Sequence, residues 1–193
     1  TLDLCAENDD VDGTHSVFEI NDLATLAELQ PLWSELLRKT PRPAFCQTFE
    51  WLQLYWSHFS DRQRLRVFCV ERDGDTVGLT VLVEQQTLGR RELTLPSVGS
   101  ETLWPLGTNS YWSWLAVANH LHAELSRKHV LDLRGLPDPH DHTLAALNAA
   151  GLPVRSQPWT GTSLLRLDGD FANFWSQVST PLRNLVELGE QRL

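Results

Sequence analysis

At 193 residues the chain is sized for one domain, or for one domain and part of a second, and it is long enough to bury a substantial core. Its composition, 41% apolar and 21% charged, is that of an ordinary globular protein. The net charge of −9, from 16 basic and 25 acidic residues, argues against a nucleic-acid surface, which needs a basic patch to displace counterions. The local group Arg62, Arg64 and Arg66 is small and interrupted.

No run approaches the ~18 consecutive apolar residues of a membrane-spanning helix. Three cysteines, Cys5, Cys46 and Cys69, lie far apart without a CxxC pair, which predicts a reduced, cytoplasmic type of chain. Cys46 and Cys69 stand in apolar runs and read as buried thiols. No signal-peptide pattern opens the sequence. Met is absent throughout, including at position 1, which fits a processed chain or an excised piece.

Thr1 to Gly13 is polar and acidic without periodicity, so residues 1–15 read as a flexible lead. Ser16 to Ile20 alternates as a short strand. Asn21 or Asp22 can cap a helix with Leu23, Leu26 and Ala27 on its apolar stripe. Pro31 has no amide donor and suits the first turn of a renewed helix that turns Leu32, Trp33, Leu36 and Leu37 inward. Thr40-Pro-Arg-Pro43 ends it. Thr48 caps the next helix, with Leu52, Tyr55, Trp56 and Phe59 on one face. Phe49, Trp51 and Leu54 make that helix apolar almost all round, which predicts deep burial.

Leu65 to Glu71 reads as a strand, Asp73-Gly74 as a hairpin turn, Thr76 to Gln86 as the returning strand and Arg91 to Leu95 as a third. Pro96 to Ser110 is loop-like. A helix from about Tyr111 to Lys128 follows, then a strand at Val130 to Arg134. A short helix from Asp141 or His142 ends at Gly151, where a left-handed cap is easiest for glycine. Pro153 to Ser156 and Ser163 to Leu167 read as strands. Asp170 caps a helix through Phe174 and Trp175, and Pro181 starts a last one. The total is a mixed α+β domain with a largely antiparallel central sheet flanked by helices. No βαβ unit is opened by a Gly-rich fingerprint.

Several patches, in this order, resemble one family. The run Leu29 to Trp56 has a Pro-Leu-Trp helix, a Pro-rich break and Phe-x-Gln-Thr-x-Glu-Trp-Leu. Asp73-Gly-Asp-Thr-Val-Gly-Leu79, Trp104-Pro-Leu-Gly107, Leu131-Asp-Leu-Arg-Gly-Leu136 and Trp175 to Leu193 follow. Together they resemble the N-terminal half of CelD/BcsL-type acetyltransferases, within the GNAT superfamily. The resemblance covers roughly residues 16 to 193. It implies a GNAT-like lobe over 16–178, with 179–193 starting a helix toward a second lobe. It implies acyl transfer in exopolysaccharide or cellulose-type biosynthesis, from acetyl-CoA or another acyl-CoA to a sugar or other small-molecule acceptor. Family members resemble two lobes in tandem, as do the FemABX aminoacyl transferases, and the second is expected to hold the acyl-CoA. No (R/Q)xxGx(G/A) loop occurs here, so this chain is expected to be the lobe without the donor site and inactive alone. The alternative is a non-catalytic module that binds a glycan or protein through an aromatic loop.

Family members often carry aromatic and acidic residues in the loop before the central helix. The nearest equivalents here are Glu101, Trp104 and Tyr111, and with Asn109 and Arg134 they are the candidate acceptor-binding residues. Each has a plainer reading: Glu101 as a solvated carboxylate, Arg134 as a structural ion pair, Trp104 as packing. Trp33, Trp51, Trp56 and Trp175 read as core. His120 and His122 fall on different helix faces, and His140-Asp141-His142 is at most a weak surface chelate, so no metal is expected. Catalytic residues are not identifiable: no GxSxG motif occurs, and Cys46 lies between apolar neighbours.

Overall fold

A computed structural model describes residues 15–87, 89–99, 101–124, 129–134, 142–157, 175–176, 178–181 and 183–184. The chain divides into two compact units, Thr1–Trp159 and Thr160–Leu193. In the second, residues 175–176, 180–181 and 183–184 are helical. The expected strand at Ser163–Leu167 and the Asp170 cap lie outside the described residues. Among the described residues no helix is long and apolar enough to cross a membrane.

The first unit opens with β1 (His15–Ile20), α1 (Leu23–Glu28) and α2 (Gln30–Lys39). The Asp22 carboxylate caps α1, accepting from Thr25 N at 2.7 Å, and that bond holds its pKa below the usual value. Pro31 occupies the first turn of α2, where its missing donor costs nothing. A 3₁₀ turn at Phe45–Gln47 leads into α3 (Phe49–Phe59), capped by the Thr48 hydroxyl at 3.2 Å from Trp51 N.

β2 (Arg64–Arg72) and β3 (Asp75–Thr87) form the hairpin expected at Asp73-Gly74. Both turn residues have positive φ, +55° and +89°, matching a turn whose twist fits the flanking strands. β4 (Arg90–Thr94) returns along β3, and the Pro96–Ser110 region contains three two-residue strands: β5 (Ser97–Val98), β6 (Glu101–Thr102) and β7 (Leu106–Gly107). α4 (Ser110–Glu124) then crosses to β8 (His129–Asp132), and α5 (His142–Ala149) ends on Gly151, at φ +76°. Leu152 N donates to Leu147 O at 3.1 Å and Gly151 N to Asn148 O at 2.9 Å, satisfying the last carbonyls of α5.

The main sheet runs β1-β2-β3-β4-β8, with β7 added to β3, while β5 and β6 pair separately. All the main-sheet pairings are antiparallel except β4 with β8, which are parallel and joined through α4. The fold is therefore mixed α+β, with a mainly antiparallel sheet flanked by helices. α1–α3 cover one face, where Leu26, Trp33, Leu36 and Leu52 pack on Leu65, Val67, Val81 and Val83. α4 and α5 cover the other, where Trp114, Val117, Leu121 and Leu147 pack on Phe68, Val70, Leu82 and Leu93. Burial on both faces makes β2 and β3 read as continuous apolar runs. Full burial of each such leucine or valine contributes about 1.5–3 kcal/mol.

Two expectations fail. Residues 152–157 form no strand: Pro153 offers no amide donor, and Leu152 and Val154 instead pack as single side chains against the α4 side of the core. α3 is buried at Phe49 and Trp51 as expected, but not all round: Leu54 and Phe59 remain 59% and 42% exposed, because the side carrying Phe49, Trp51, Leu52 and Tyr55 is the one that joins the core.

Candidate functional site

Where β4 and β8 run parallel, their C-terminal ends open into a cleft of about 200 Å³. Strand alternation builds its floor. On the α3 side of the sheet Val83 is the last buried apolar residue of β3, and Gln85, two residues on, is polar. Register places Gln85 opposite Glu92 and Thr94 beside Asp132. α3 stops at Phe59 and passes into a 3₁₀ turn at Ser60–Arg62. Tyr55, Phe59 and Gln63 form one wall, and Ser97 and Thr102 form the other.

The polar floor is bonded internally. Arg134 donates to Asp132 from Nε at 2.8 Å and from Nη2 at 2.6 Å, and Nη2 lies 3.7 Å from Glu92. The Asp132 bond raises the Arg134 pKa, so the guanidinium stays charged. Glu92 also accepts from Gln85 at 3.1 Å and from Thr87 at 3.3 Å. On the wall, the Tyr55 hydroxyl donates to Gln63 Oε1 at 2.8 Å, and burial pushes the phenol pKa up. Tyr55 and Phe59 pack ring on ring at 4.7 Å.

The sequence candidates scatter around this cleft, and of them only Arg134 lines it. Glu101 is exposed on β6, and its charge, after burial itself, pushes up the pKa of the nearby Cys46 thiol, which donates to Thr102 O at 3.1 Å. Trp104 is partly buried against the α4 side of the core, and its carbonyl accepts from Gln47 at 3.4 Å. Asn109 caps α4, its Oδ1 accepting from Trp112 N at 3.3 Å. Tyr111 packs edge-on against Trp112 at 5.0 Å and His142 at 6.3 Å. Trp104 and Tyr111 thus share one hydrophobic cluster.

A second polar group lies on the opposite face. Arg66, buried on β2, donates to Glu19 from Nε at 2.7 Å and from Nη2 at 2.6 Å, and to Glu124 at 2.7 Å. Its guanidinium sits 5.2 Å from the Phe68 ring centre. These bonds raise the Arg66 pKa and hold Glu124 below its usual value. His120 stands 3.7 Å from Glu124 and 3.9 Å from Glu19. The His120-x-x-x-Glu124 spacing, one helical turn, was a sequence signal for this pairing. Ligand atoms of Glu19, His120 and Glu124 lie within 4.8 Å of one another. A metal ion would have to compete with Arg66 for both carboxylates, so the group fits an ion-pair network better than a metal centre. His122 points elsewhere, its Nδ1 at 2.8 Å from Ala150 O.

The cleft residues were missed because each looks ordinary alone. The available signal was polar residues (Gln85, Glu92, Thr94) at strand positions where the alternation calls for apolar ones. The chain matches no family model, no curated protein and no solved structure.

Proposed function

We propose that this chain is the acceptor-side lobe of a GNAT-type, acyl-CoA-dependent acyltransferase that acts in the cytoplasm on a precursor of exopolysaccharide or cellulose-type biosynthesis. Acyl-CoA would be held by a second lobe in a longer protein. The observation that carries the reading is the cleft at the C-terminal ends of parallel β4 and β8. Ligands of open α/β sheets bind beyond the carboxyl ends of strands, where the chain leaves the sheet. The resemblance carried by the ordered patches over roughly residues 16 to 193 supplies the chemistry.

In the transfer, the acceptor's amine or hydroxyl attacks the thioester carbonyl. A C–N or C–O bond forms, the C–S bond breaks, the acceptor loses its proton and CoA leaves as the thiol. Holding the partners together, removing the proton and stabilising the oxyanion are the protein's contributions. This lobe's part is to position the acceptor. The cleft is too small for CoA, which supports donor binding elsewhere.

The test has two arms. Calorimetry on residues 1–193 is expected to show no acetyl-CoA binding, and micromolar binding would refute the division of labour. The longer protein, incubated with labelled acetyl-CoA and candidate acceptors, is expected to form labelled product. A glycan-binding module built on Trp104 has less support, because Trp104 packs into the core.

A further inference from the structure

Resting on that reading, which requires an acceptor on this lobe, we infer that the cleft binds a small primary amine carried on a polyhydroxyl ring, an amino sugar in chemical class, and disfavours anionic sugars. Size sets the first limit. About 200 Å³ is below the ~300–1,000 Å³ of sites that enclose drug-sized ligands, and it admits a single ring rather than a nucleotide.

Charge sets the second. Two carboxylates, Glu92 and Asp132, face one guanidinium, Arg134, leaving the floor net negative. Arg134 is engaged by both, at 3.7 Å and 2.6 Å. A phosphate or carboxylate entering the cleft would have to draw Arg134 away from Asp132. An ammonium needs no such exchange, because carboxylate oxygens accept from several donors at once.

The wall sets the third. Phe59 is 42% exposed at the end of its helix, with Tyr55 behind it. An aromatic face suits the C–H face of a pyranose and also attracts a cation. Opposite the charged floor, the Gln63 amide nitrogen has no hydrogen-bond partner among the described residues and can donate to a ring hydroxyl.

The experiment is saturation-transfer NMR on residues 1–193 with glucosamine, methyl glucoside, glucuronate and glucosamine 6-phosphate. Glucosamine is expected to give the strongest signal, with the two anions weakest. Glu92→Gln keeps an acceptor for Gln85 and is expected to weaken glucosamine by about tenfold, the scale of one charge-assisted bond. Phe59→Ala, at an exposed position, is expected to weaken glucosamine and methyl glucoside alike. Absent glucosamine binding at millimolar concentration, glucuronate bound as well as glucosamine, or an unchanged Glu92→Gln affinity would each overturn the inference. Acyl transfer by the longer protein is read separately. Glucosamine binding without transfer leaves the amine site standing and removes the acyltransferase reading. Transfer to another acceptor without glucosamine binding does the reverse.

Discussion

Arg66 and Glu19 form a two-bond ion pair across adjacent strands, Nε to Oε1 at 2.7 Å and Nη2 to Oε2 at 2.6 Å, under the cover of α4. Both side chains are largely buried, so removing one strands the other's charge. Arg66→Ala is therefore expected to destabilise the fold by about 3–5 kcal/mol. Arg66→Lys, which cannot form the fork, is expected to recover only part of that. Urea denaturation followed by Trp fluorescence measures both, and an Arg66→Ala loss below 1 kcal/mol would contradict the buried-pair account.

The same network predicts an acid limb in stability. Arg66 holds the folded-state pKa of Glu124 below its ordinary value of 4.5. The unfolded chain then binds the proton more readily, so the contribution is present above pH 4.5 and is lost as pH falls through the lower folded value. Glu124→Gln is expected to flatten the stability profile over that acid range. Because Glu124 is half exposed, the effect is small, and thermal melts below pH 4.5 in which the variant keeps the parent's slope would exclude the linkage.

Gly107 sits at φ +120°, and an added Cβ would overlap the Val77 carbonyl. Its amide donates to the Thr40 hydroxyl at 2.9 Å, tying the end of α2 to the sheet. Gly107→Ala is expected to cost more than about 1 kcal/mol, because both the backbone conformation and the space are wrong for a side chain. Gly74 also has positive φ, +89°, but meets nothing within 4 Å, so Gly74→Ala is expected to be milder. Equal melting temperatures for the two variants would argue against close packing at Gly107.

Burial pushes the Cys69 thiol up to about 12. Burial, with Glu101 second, also raises Cys46. Neither forms appreciable thiolate near neutral pH. In a Cys5→Ser background both are expected to resist iodoacetamide until the chain is unfolded. Rapid labelling of the native protein at pH 8 would show local opening, of the sheet at Cys69 or of the 3₁₀ turn at Cys46.

Much of the frame was legible because its signals are local. Asp73-Gly74 marked the hairpin, Asp22 and Thr48 marked helix starts, and Gly151 marked a helix end. The burial of Cys46, Cys69, Trp33 and Trp51 followed from their apolar neighbours, while Trp56 and Trp175 are only half-buried. The cleft was not legible, since it depends on which strand lies beside which. Nothing near Thr94 says that Asp132 will stand next to it. Proximity in sequence did not bring its candidates together either: Glu101 stands on β6 near the Cys46 thiol, Trp104 and Tyr111 join the α4-side cluster, and Asn109 caps α4. Local pattern sets the face of each residue, and register, a property of the assembled sheet, sets the site.

β4 and β8 form the parallel pair of the described sheet and, like β1 with β2 and β3 with β7, cannot form as a hairpin. The hairpins joining β2, β3 and β4 can zip outward from their turns, whereas β8 has to wait for α4 to cross the sheet. The cleft rests on both strands, so it is assembled late in folding. A ligand seated there would have little hold on the folding rate and would slow unfolding instead, a shift confined to one arm of a chevron plot.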